Sequence, residues 1–174
     1  MNALRQLILT LPDDIVLALN AYFEARGEWR TYGNISLIAV MAVVMNRAAH
    51  PKPGLFRADE GTVQSIVAAP RQFSWTNWDD HIQDPQYPKA LEIAQNPETD
   101  WGKTWEQARK LANQVLAKEI LNPVANATFY YNPHVCSPSW AEDFEEIRTI
   151  GNHRFMTDPA NDPEVLWDAP RENL

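Results

Sequence analysis

The stretch YFEARGE at residues 22–28 carries two carboxyl groups four residues apart, with a guanidinium between them. If this segment is helical, Glu24 and Glu28 lie one turn apart on the same face. Cleavage of a glycosidic bond needs a carboxyl group that stays protonated near neutral pH and delivers its proton to the leaving oxygen. Burial beside aromatic and apolar neighbours raises the pKa of a glutamate. Glu24 is therefore a candidate general acid.

The helix that carries these residues is predicted to begin at Pro12 and to end at Gly27, because proline favours a first turn and glycine a terminus. Glu24 then lies at the C-terminal end, where the helix dipole also disfavours a carboxylate. Glu28, beyond Gly27 and nearer solvent, is expected to stay ionised and to hold Arg26 or orient a sugar. Two carboxyl groups in unlike environments can divide the roles of acid and anion.

Helical periodicity supports a competing interpretation, in which both acids lie on a solvent-exposed face. The predicted core face consists of Ile15, Ala18, Leu19 and Tyr22. Asn20, Glu24 and Glu28 fall on the opposite side, as the polar residues of a surface helix do. Leu17 and Ala21 share that side, so it is mixed, as the wall of a cleft would be.

Two of the seven tryptophans, Trp75 and Trp78, lie among turn-forming residues in the stretch QFSWTNWDDHIQDPQYP. Burial is harder to arrange there than on a helix such as the one predicted to carry Trp105. Exposed aromatic rings beside Asn, Asp and Gln suit the apolar faces and hydroxyl edges of sugars. Trp75 and Trp78 are therefore predicted to bind sugar, with ordinary burial in the core as the alternative.

The composition narrows the possible partners. The chain has 174 residues and a net charge of −8, and no cluster of Lys and Arg offers a surface for DNA or RNA. The longest nearly apolar run, residues 35–45, is about half the roughly 20 residues that span a bilayer, so stable membrane insertion is not expected. The single cysteine, Cys136, cannot form an internal disulfide. A monomer without a cofactor is predicted.

The pattern of apolar residues and turn signals predicts an α+β fold. After the first helix come a buried helix from residue 35 to Pro51, a helix from Thr62 to Pro70, and a helix from a capping box at Thr104–Gln107 to Asn122-Pro123. The stretches ATFYYN, EEIRTI and HRFMT then predict three antiparallel strands, with Gly151-Asn152 as a hairpin turn. The tail, residues 157–174, is predicted to pack on the surface or to be partly disordered.

Several short pieces of this sequence, taken in order, resemble the cell-wall hydrolases of the spore-cortex-lytic (SleB-like) type, which also occur as phage lysins. The matching pieces are EARGE at 24–28, Asn46-Arg47, QFS at 72–74, ATFYYNP at 127–133, Trp140, and Ile150, Gly151, His153 and Phe155 of IGNHRF. Each piece alone is weak, but together they are specific and span roughly residues 15–156.

The resemblance implies a mainly helical, lysozyme-like domain with a small antiparallel sheet near its C-terminal end, covering residues 1–156 and acting on the glycan strands of peptidoglycan. It also implies that Glu24 is the catalytic acid. The residues predicted to bind substrate are Glu28, Gln72, Phe73, Ser74, Trp75, Trp78, Tyr130, Asn132 and His153. Tyr130 and Tyr131 alternate in a strand, and the resemblance favours Tyr130 and Asn132 as the cleft-facing pair.

Two departures from the family pattern affect what is expected. The stretch from Trp75 to Trp105 is longer than in compact spore members, which leaves the sugar contacts open. No export signal precedes the domain, which favours a phage or prophage endolysin made in the host cytoplasm. Such a protein would act on the cell wall after release by other means, or as part of a virion.

The number of catalytic carboxyl groups decides the reaction type. Hydrolysis needs two, about 5–9.5 Å apart. A lytic transglycosylase needs one, because the 6-hydroxyl of muramic acid attacks while the same glutamate serves as acid and then as base. Glu28 lies one turn from Glu24 and points along the same wall, not across the bond. Lytic transglycosylation by Glu24 is therefore predicted, with a two-carboxylate muramidase that uses Glu24 and Glu28 as the alternative.

Three further interpretations are weighed against glycan cleavage. A zinc amidase or peptidase would draw its ligands from His134, Cys136 and His153, with Asp79, Asp80 or His81, although His134-x-Cys136 is not a standard zinc spacing. A cysteine peptidase would pair Cys136 with His153, but no helix N-terminus is predicted to lower the pKa of the thiol. A Trp-rich surface would also suit a non-catalytic sugar-binding module or virion protein. None is favoured over glycan cleavage.

Overall fold

The computed structural model describes residues 1–170, which form a helical body and a small antiparallel sheet. The α-helices in this range are α1 (Ala3–Ile8), α2 (Asp13–Tyr32), α3 (Asn34–Ala49), α4 (Val63–Ala68), α5 (Tyr87–Gln95) and α6 (Lys103–Leu116). The strands are β1 (Phe129–Tyr131), β2 (Glu145–Ile150) and β3 (His153–Thr157), and short 3-10 helices lie at Pro53–Phe56, Ser74–Thr76 and Ser139–Glu142. The predicted α+β class is confirmed.

The central helix, α2, continues through Gly27 and ends only at Gly33, whose φ is 75°. The predicted end at Gly27 is therefore wrong. A glycine inside a helix costs about 1 kcal/mol relative to alanine, and the apolar side chains that α2 packs against α3 and α6 outweigh that cost. Glu24 consequently lies about two turns before the helix end, outside the reach of the dipole of the last turn.

The first half of α2 is buried on every side. Each residue from Ile15 to Ala21 is buried, including Asn20. α3 and α6 pack along this helix, and α4 and α5 also contact it. The predicted solvent face is therefore wrong, because periodicity separates two faces only when one of them meets water. Glu24 and Glu28 continue the Asn20 side of α2, and there they meet the sheet.

For the remaining helices, the prediction gives the kind of element more accurately than the residues at which it begins and ends. α3 is apolar and buried, and the side chain of Thr62 caps α4. α6 begins after Gly102, not at a capping box formed by Thr104, and ends at Leu116, well before Asn122. α1 and α5 are not predicted, because segments of six and nine residues contain too few turns for a clear periodicity. No helix within residues 1–170 is both long and apolar enough to span a membrane.

The three strands form an antiparallel sheet in the order β1-β3-β2. The Gly151-Asn152 turn joins β2 to β3, and Gly151 has a φ of 59°, which glycine adopts without strain. Tyr130 of β1 pairs with Phe155 of β3. The predicted hairpin and three-stranded sheet are confirmed.

Asn46 and Arg47, near the end of α3, attach the segment before β1 to the helical body. Asn46 Nδ2 donates to the carbonyls of Ala125 and Ala127, both at 2.8 Å. Arg47 Nε donates to the carbonyl of Thr128 at 2.6 Å. Because both side chains are buried, these hydrogen bonds fix the start of β1 and determine where its tyrosines lie above α2.

The segment after β3 folds back onto the helical body. Trp167 is buried, and its backbone N–H donates to Asn46 Oδ1 at 3.3 Å. The N–H of Asn122 donates to the carbonyl of Pro170 at 2.7 Å. The predicted tail comprises residues 157–174, of which the last four lie outside the described residues.

Candidate active site

A cleft of about 660 Å³ lies between α2, the sheet and the segment that leads into the 3-10 helix Ser74–Thr76. Its volume is in the range of ligand-binding sites. The predicted site residues that line it are Glu24, Glu28, Gln72, Phe73, Ser74, Tyr130, Asn132 and His153. It is also lined by residues that the sequence does not predict as binding, namely Phe23, Arg47, Gln86, Tyr131, Val135, Cys136, Pro138 and Trp140.

Glu24 reaches this cleft from α2 and is held by a hydrogen bond from the sheet. The Tyr130 hydroxyl donates to Glu24 Oε2 at 2.9 Å. Burial raises the pKa of Glu24, and this effect exceeds the opposing influences of the Tyr130 hydrogen bond and of the charges on His153 and Arg47. Asp84 adds a small upward influence on the same pKa. Burial, one of the two causes that the sequence predicts, thus raises this pKa. The other predicted cause, a helix terminus, does not apply because α2 continues to Tyr32.

Tyr130 acts on Glu24 as a donor because its hydroxyl stays protonated. Burial, followed by the neighbouring Glu24 carboxylate, raises the pKa of Tyr130 well above its ordinary value. The Tyr130 ring lies edge-on to His153 with 5.2 Å between centroids, and 5.5 Å from Phe155. The pairing of β1 with β3 supplies both contacts. Tyr130 and Asn132 both line the cleft, and so does Tyr131.

Arg47 is a buried cation at the floor of the cleft. Its Nη1 donates to Gln72 Oε1 at 3.2 Å, and its guanidinium carbon lies 5.2–5.5 Å from the ring centroids of Phe56, Phe73 and Phe129. Removal from water lowers the pKa of Arg47 to about 10, so the side chain is still charged at neutral pH. The sequence signal for its role is the Asn46-Arg47 pair directly after an apolar run, which is one of the pieces that carry the family resemblance.

Glu28 is held by the β2–β3 hairpin. The sequence predicts Arg26 as its partner, and this prediction is wrong. Glu28 Oε1 lies 2.9 Å from His153 Nδ1, and the Asn152 N–H donates to Glu28 Oε2 at 3.4 Å. The Glu28 side chain is only 10% exposed, so its predicted position nearer solvent is also wrong. Arg26 instead donates to Gln86 Oε1 at 3.2 Å. Both oxygens of Glu28 are therefore engaged by the hairpin.

Trp75 and Trp78 lie apart from the residues described as lining this cleft. Trp75 is fully buried and stacks on Phe23 with 5.2 Å between ring centroids. The prediction that Trp75 stacks on a sugar is wrong, because the 3-10 helix that carries it turns its side chain into the core. Trp78 is 38% exposed and stacks on Tyr87 at 5.0 Å, so part of its ring is already covered by protein.

The residues of the zinc and cysteine alternatives do not form a metal site or a thiol-base pair in the described part of the chain. His134 and Cys136 are exposed after β1, whereas His153 pairs with Glu28. Among residues 1–170, no group of three or more His, Cys, Asp or Glu side chains is placed to hold a metal ion. The Cys136 thiol lies 3.8 Å from the carbonyl of Asn132, which cannot serve as the base for a nucleophilic thiol.

Residues 33–156, more than half of the chain, match the Cell Wall Hydrolase family. The chain belongs to this family. The matched range contains Arg47, Gln72, Tyr130 and His153, and it begins after the part of α2 that carries Glu24. The resemblance inferred from the sequence is thus confirmed for the family, while the role of Glu24 depends on the geometry of the cleft.

Two relatives give the extent of the similarity along whole chains. The chain is 28% identical over 145 residues to a spore cortex-lytic enzyme of Bacillus cereus, which covers 82% of this chain and 44% of that protein. It is 27% identical over 146 residues to the spore cortex-lytic enzyme of Oceanobacillus iheyensis, which covers 82% of this chain and 41% of that protein. The chain therefore spans less than half the length of these relatives.

Two solved structures share the fold. The catalytic domain of the germination-specific lytic transglycosylase SleB from Bacillus anthracis matches with a TM-score of 0.51 and 21% identity, covering 84% of this chain and 96% of that domain. The catalytic domain of the Bacillus cereus SleB protein matches with a TM-score of 0.53 and 23% identity, covering 83% and 90%. The α+β arrangement of this cell wall hydrolase is thus that of a SleB catalytic domain.

Proposed function

We propose that this domain cleaves the glycan strands of peptidoglycan as a lytic transglycosylase, with Glu24 as general acid and then general base. The observation that carries the proposal is a carboxyl group of raised pKa that opens on the cleft and is held there by Tyr130. Membership of the Cell Wall Hydrolase family supports the substrate class. The fold shared with a SleB domain described as a lytic transglycosylase supports the reaction type.

The proposed reaction uses one carboxyl group twice. Protonated Glu24 donates its proton to the glycosidic oxygen, and the bond between that oxygen and C1 of muramic acid breaks. The Glu24 carboxylate then takes the proton of the 6-hydroxyl of the same sugar, whose oxygen bonds to C1. The product ends in a 1,6-anhydro ring, Glu24 regains its proton, and no water is consumed. The attack is intramolecular, which gives the hydroxyl a large effective concentration.

The surroundings of Glu24 suit both halves of this reaction. Burial favours the protonated form that must donate first. Tyr130, His153 and Arg47 each lower the pKa of Glu24 and so stabilise the carboxylate that forms when the proton leaves. Groups that favour each form of Glu24 thus surround one carboxyl group, which suits a residue that alternates between acid and base.

The position of Glu28 favours one-acid chemistry. A second catalytic carboxylate needs an oxygen that is free to face the sugar or a water, whereas His153 and Asn152 engage both oxygens of Glu28. Asp84 is another acid whose charge reaches Glu24, and its Oδ1 accepts from the Gln86 N–H at 2.9 Å. A two-carboxylate muramidase remains the alternative, and it would rely on Glu28 or Asp84.

The rest of the cleft offers groups for binding sugar rings. Ser74 and Asn132 bring polar atoms to its wall, and Tyr131 and Trp140 bring aromatic rings. Trp140 packs edge-on against Tyr131 with 5.6 Å between centroids, which holds both rings in place. Aromatic surface beside polar groups suits the faces and edges of sugars. We assign the sugar stacking that the sequence predicts for Trp75 to Trp140 instead.

Replacement of Glu24 by glutamine tests the proposal. The amide keeps the shape of the side chain but cannot deliver a proton, so Glu24→Gln should lose at least about a thousandfold in turnover of purified peptidoglycan while remaining folded. Glu106→Gln makes the same chemical change at an exposed position of α6 and should retain full activity. A folded Glu24→Gln variant that clears cell walls at the normal rate would overturn the assignment.

The endolysin role expected from the sequence is part of this proposal. If the domain reaches the wall only after release, its production inside a bacterium should leave cells intact until the membrane is permeabilised. Lysis should then follow within minutes, and the Glu24→Gln variant should not cause it. Lysis of cells whose membrane is still intact would contradict the need for release by other means.

A further inference from the structure

Two buried groups, Trp75 and Asn20, and the partly buried Tyr130 lead from the core to Glu24. Trp75 and Asn20 are both fully buried, and Trp75 Nε1 donates to Asn20 Oδ1 at 3.4 Å. Asn20 lies one turn before Glu24 on α2, on the same side of that helix. The Tyr130 hydroxyl lies next in line and donates to Glu24 Oε2.

The amide nitrogen of Asn20 is buried and has no hydrogen-bond partner among the described residues. The Tyr130 hydroxyl is nevertheless close enough for the Asn20 amide to lower its pKa. Contacts of this kind are often long without substrate and shorten in the working complex. The Tyr130 oxygen is therefore the acceptor that Asn20 Nδ2 is placed to use.

The chemistry of the groups gives this line one direction. An indole N–H can only donate, so the oxygen of the Asn20 amide must face Trp75. Its NH₂ group is then turned away from Trp75 and is available to the Tyr130 oxygen. The hydroxyl hydrogen of Tyr130 is thereby directed at Glu24 Oε2, so Oε2 is an acceptor. The catalytic proton is left to Oε1.

We propose that Trp75 and Asn20 are positioning residues, which determine through Tyr130 which oxygen of Glu24 carries the catalytic proton. The inference rests on the proposed function of Glu24 and adds to it which residues determine the oxygen that carries the proton. It also explains why a tryptophan is buried behind a sugar-cleaving cleft. Phenylalanine would fill most of the same space, but it could not orient the amide of Asn20.

Trp75→Phe should therefore change catalysis while leaving the fold intact. Without the indole donor the Asn20 amide can rotate, and the Tyr130 hydroxyl is no longer held towards Glu24. Turnover of soluble glycan strands should fall roughly tenfold, within the hundredfold loss that a misplacement of about 1 Å can cause, while KM stays nearly constant. Because the Tyr130 hydrogen bond lowers the pKa of Glu24, its loss should move the alkaline limb of kcat to higher pH.

The pH profile separates a positioning role from general damage to the core. The charged and titratable groups that act on Glu24 are Tyr130 of β1, His153 of β3, Arg47 of α3 and Asp84, and neither Trp75→Phe nor Asn20→Leu removes any of them. Both variants should shift the alkaline limb in the same direction. The matched control is Trp105→Phe, which loses a buried indole bonded to the Pro97 carbonyl and should shift nothing.

A double variant tests whether the effect of Trp75 on Glu24 passes through Tyr130. In a Tyr130→Phe background the hydrogen bond to Glu24 is already absent, so adding Trp75→Phe should produce no further shift of the alkaline limb. An unchanged limb in both Trp75→Phe and Asn20→Leu, or equal shifts with and without Tyr130, would overturn the inference. If Glu24→Gln is inactive, such a result would reject only the positioning role and leave the proposed function supported. If Glu24→Gln is active, both the proposed function and the positioning role are rejected. If Trp75→Phe does not fold, Asn20→Leu alone gives the same decision.

Discussion

Glu24 holds its proton more tightly in the folded protein than in the unfolded chain, because burial raises its pKa above the ordinary value of 4.5. Proton binding and folding are therefore linked. The stabilising contribution of the bound proton is fully present below about pH 4.5, and it is lost as pH rises through the folded pKa. Above that pH the folded protein carries an ionised Glu24 carboxyl group that is largely shielded from water.

Glu24→Gln removes this linkage, because glutamine does not titrate. Relative to the unchanged protein, the variant should gain free energy of unfolding as pH rises from about 4.5 through the folded pKa of Glu24. The difference should be smallest in acid and level off above that pKa. Denaturant unfolding at a series of pH values measures it, and Glu106→Gln provides the same chemical change at an exposed position for comparison. A Glu24→Gln difference that stays flat with pH would mean that the carboxyl group is not desolvated.

The roles of the tryptophans can be compared directly. Trp140→Ala removes a ring that lines the cleft and should weaken binding of glycan fragments about tenfold. Trp78→Ala removes a ring stacked on Tyr87, outside the described lining, and should lower stability while leaving glycan affinity unchanged. Titration calorimetry with inactive Glu24→Gln as the background measures both. A larger loss of affinity in Trp78→Ala than in Trp140→Ala would reverse the assignment.

At the level of single residues, the family resemblance could predict that Glu24 and Tyr130 share the cleft. Strand alternation predicts that only one of Tyr130 and Tyr131 faces the cleft, and this prediction is wrong because both line it. Trp75 could not be placed, since its burial depends on a 3-10 helix that turns the side chain towards Phe23 and Asn20. The partner of Glu28 could not be predicted either. The His153 contact exists only because a hairpin distant in sequence lies across α2.

Two glycines, one in α2 and one in the β2–β3 hairpin, have opposite requirements. Gly27 lies inside α2, and a Cβ there would meet nothing within 4 Å. Gly151 lies in the hairpin turn, and a Cβ there would come within 2.3 Å of Glu28 Oε2 and 2.9 Å of Tyr32 Cδ2. The contact between Glu28 and the hairpin therefore depends on the missing side chain of Gly151.

Gly27→Ala should stabilise the protein by about 0.5–1 kcal/mol, since alanine loses less backbone entropy in a helix. Gly151→Ala should destabilise it by at least about 1–2 kcal/mol, because its positive φ disfavours a Cβ and the contact with Glu28 adds strain. Activity should fall in the second variant only. Thermal unfolding of the pair measures both, and destabilisation by Gly27→Ala would indicate that α2 does not continue through residue 27.

The kinds of element could be predicted better than their ends. The apolar run of α3 and the Gly151-Asn152 turn are local signals, and both predictions are confirmed. The end of α2 is set by packing against α3 and α6, which overrides the local preference of Gly27. Burial on every side of residues 15–21 of α2 also removes the difference between faces on which periodicity depends.

At the scale of the whole molecule, the sheet turns a buried helix into one wall of a cleft. Asn46 and Arg47 fix the start of β1, and β1 then places Tyr130 over Glu24. The hairpin engages both oxygens of Glu28, whereas Glu24, which lines the same cleft, is held by Tyr130 and has a raised pKa. One fold thus presents Glu24 to the cleft and engages the neighbouring carboxylate, as the proposed one-acid chemistry requires.

The central claim is that Glu24 acts without a second carboxylate, and the mass of the reaction products tests it most directly. Purified glycan strands digested to completion in H₂¹⁸O should yield fragments that end in 1,6-anhydro-muramic acid. These fragments should be one water lighter than lysozyme products and carry no ¹⁸O. Glu28→Gln and Asp84→Asn should retain part of the activity and give the same anhydro ends. Reducing ends that contain ¹⁸O, together with an inactive Glu28→Gln or Asp84→Asn variant, would contradict the claim and establish a two-carboxylate muramidase.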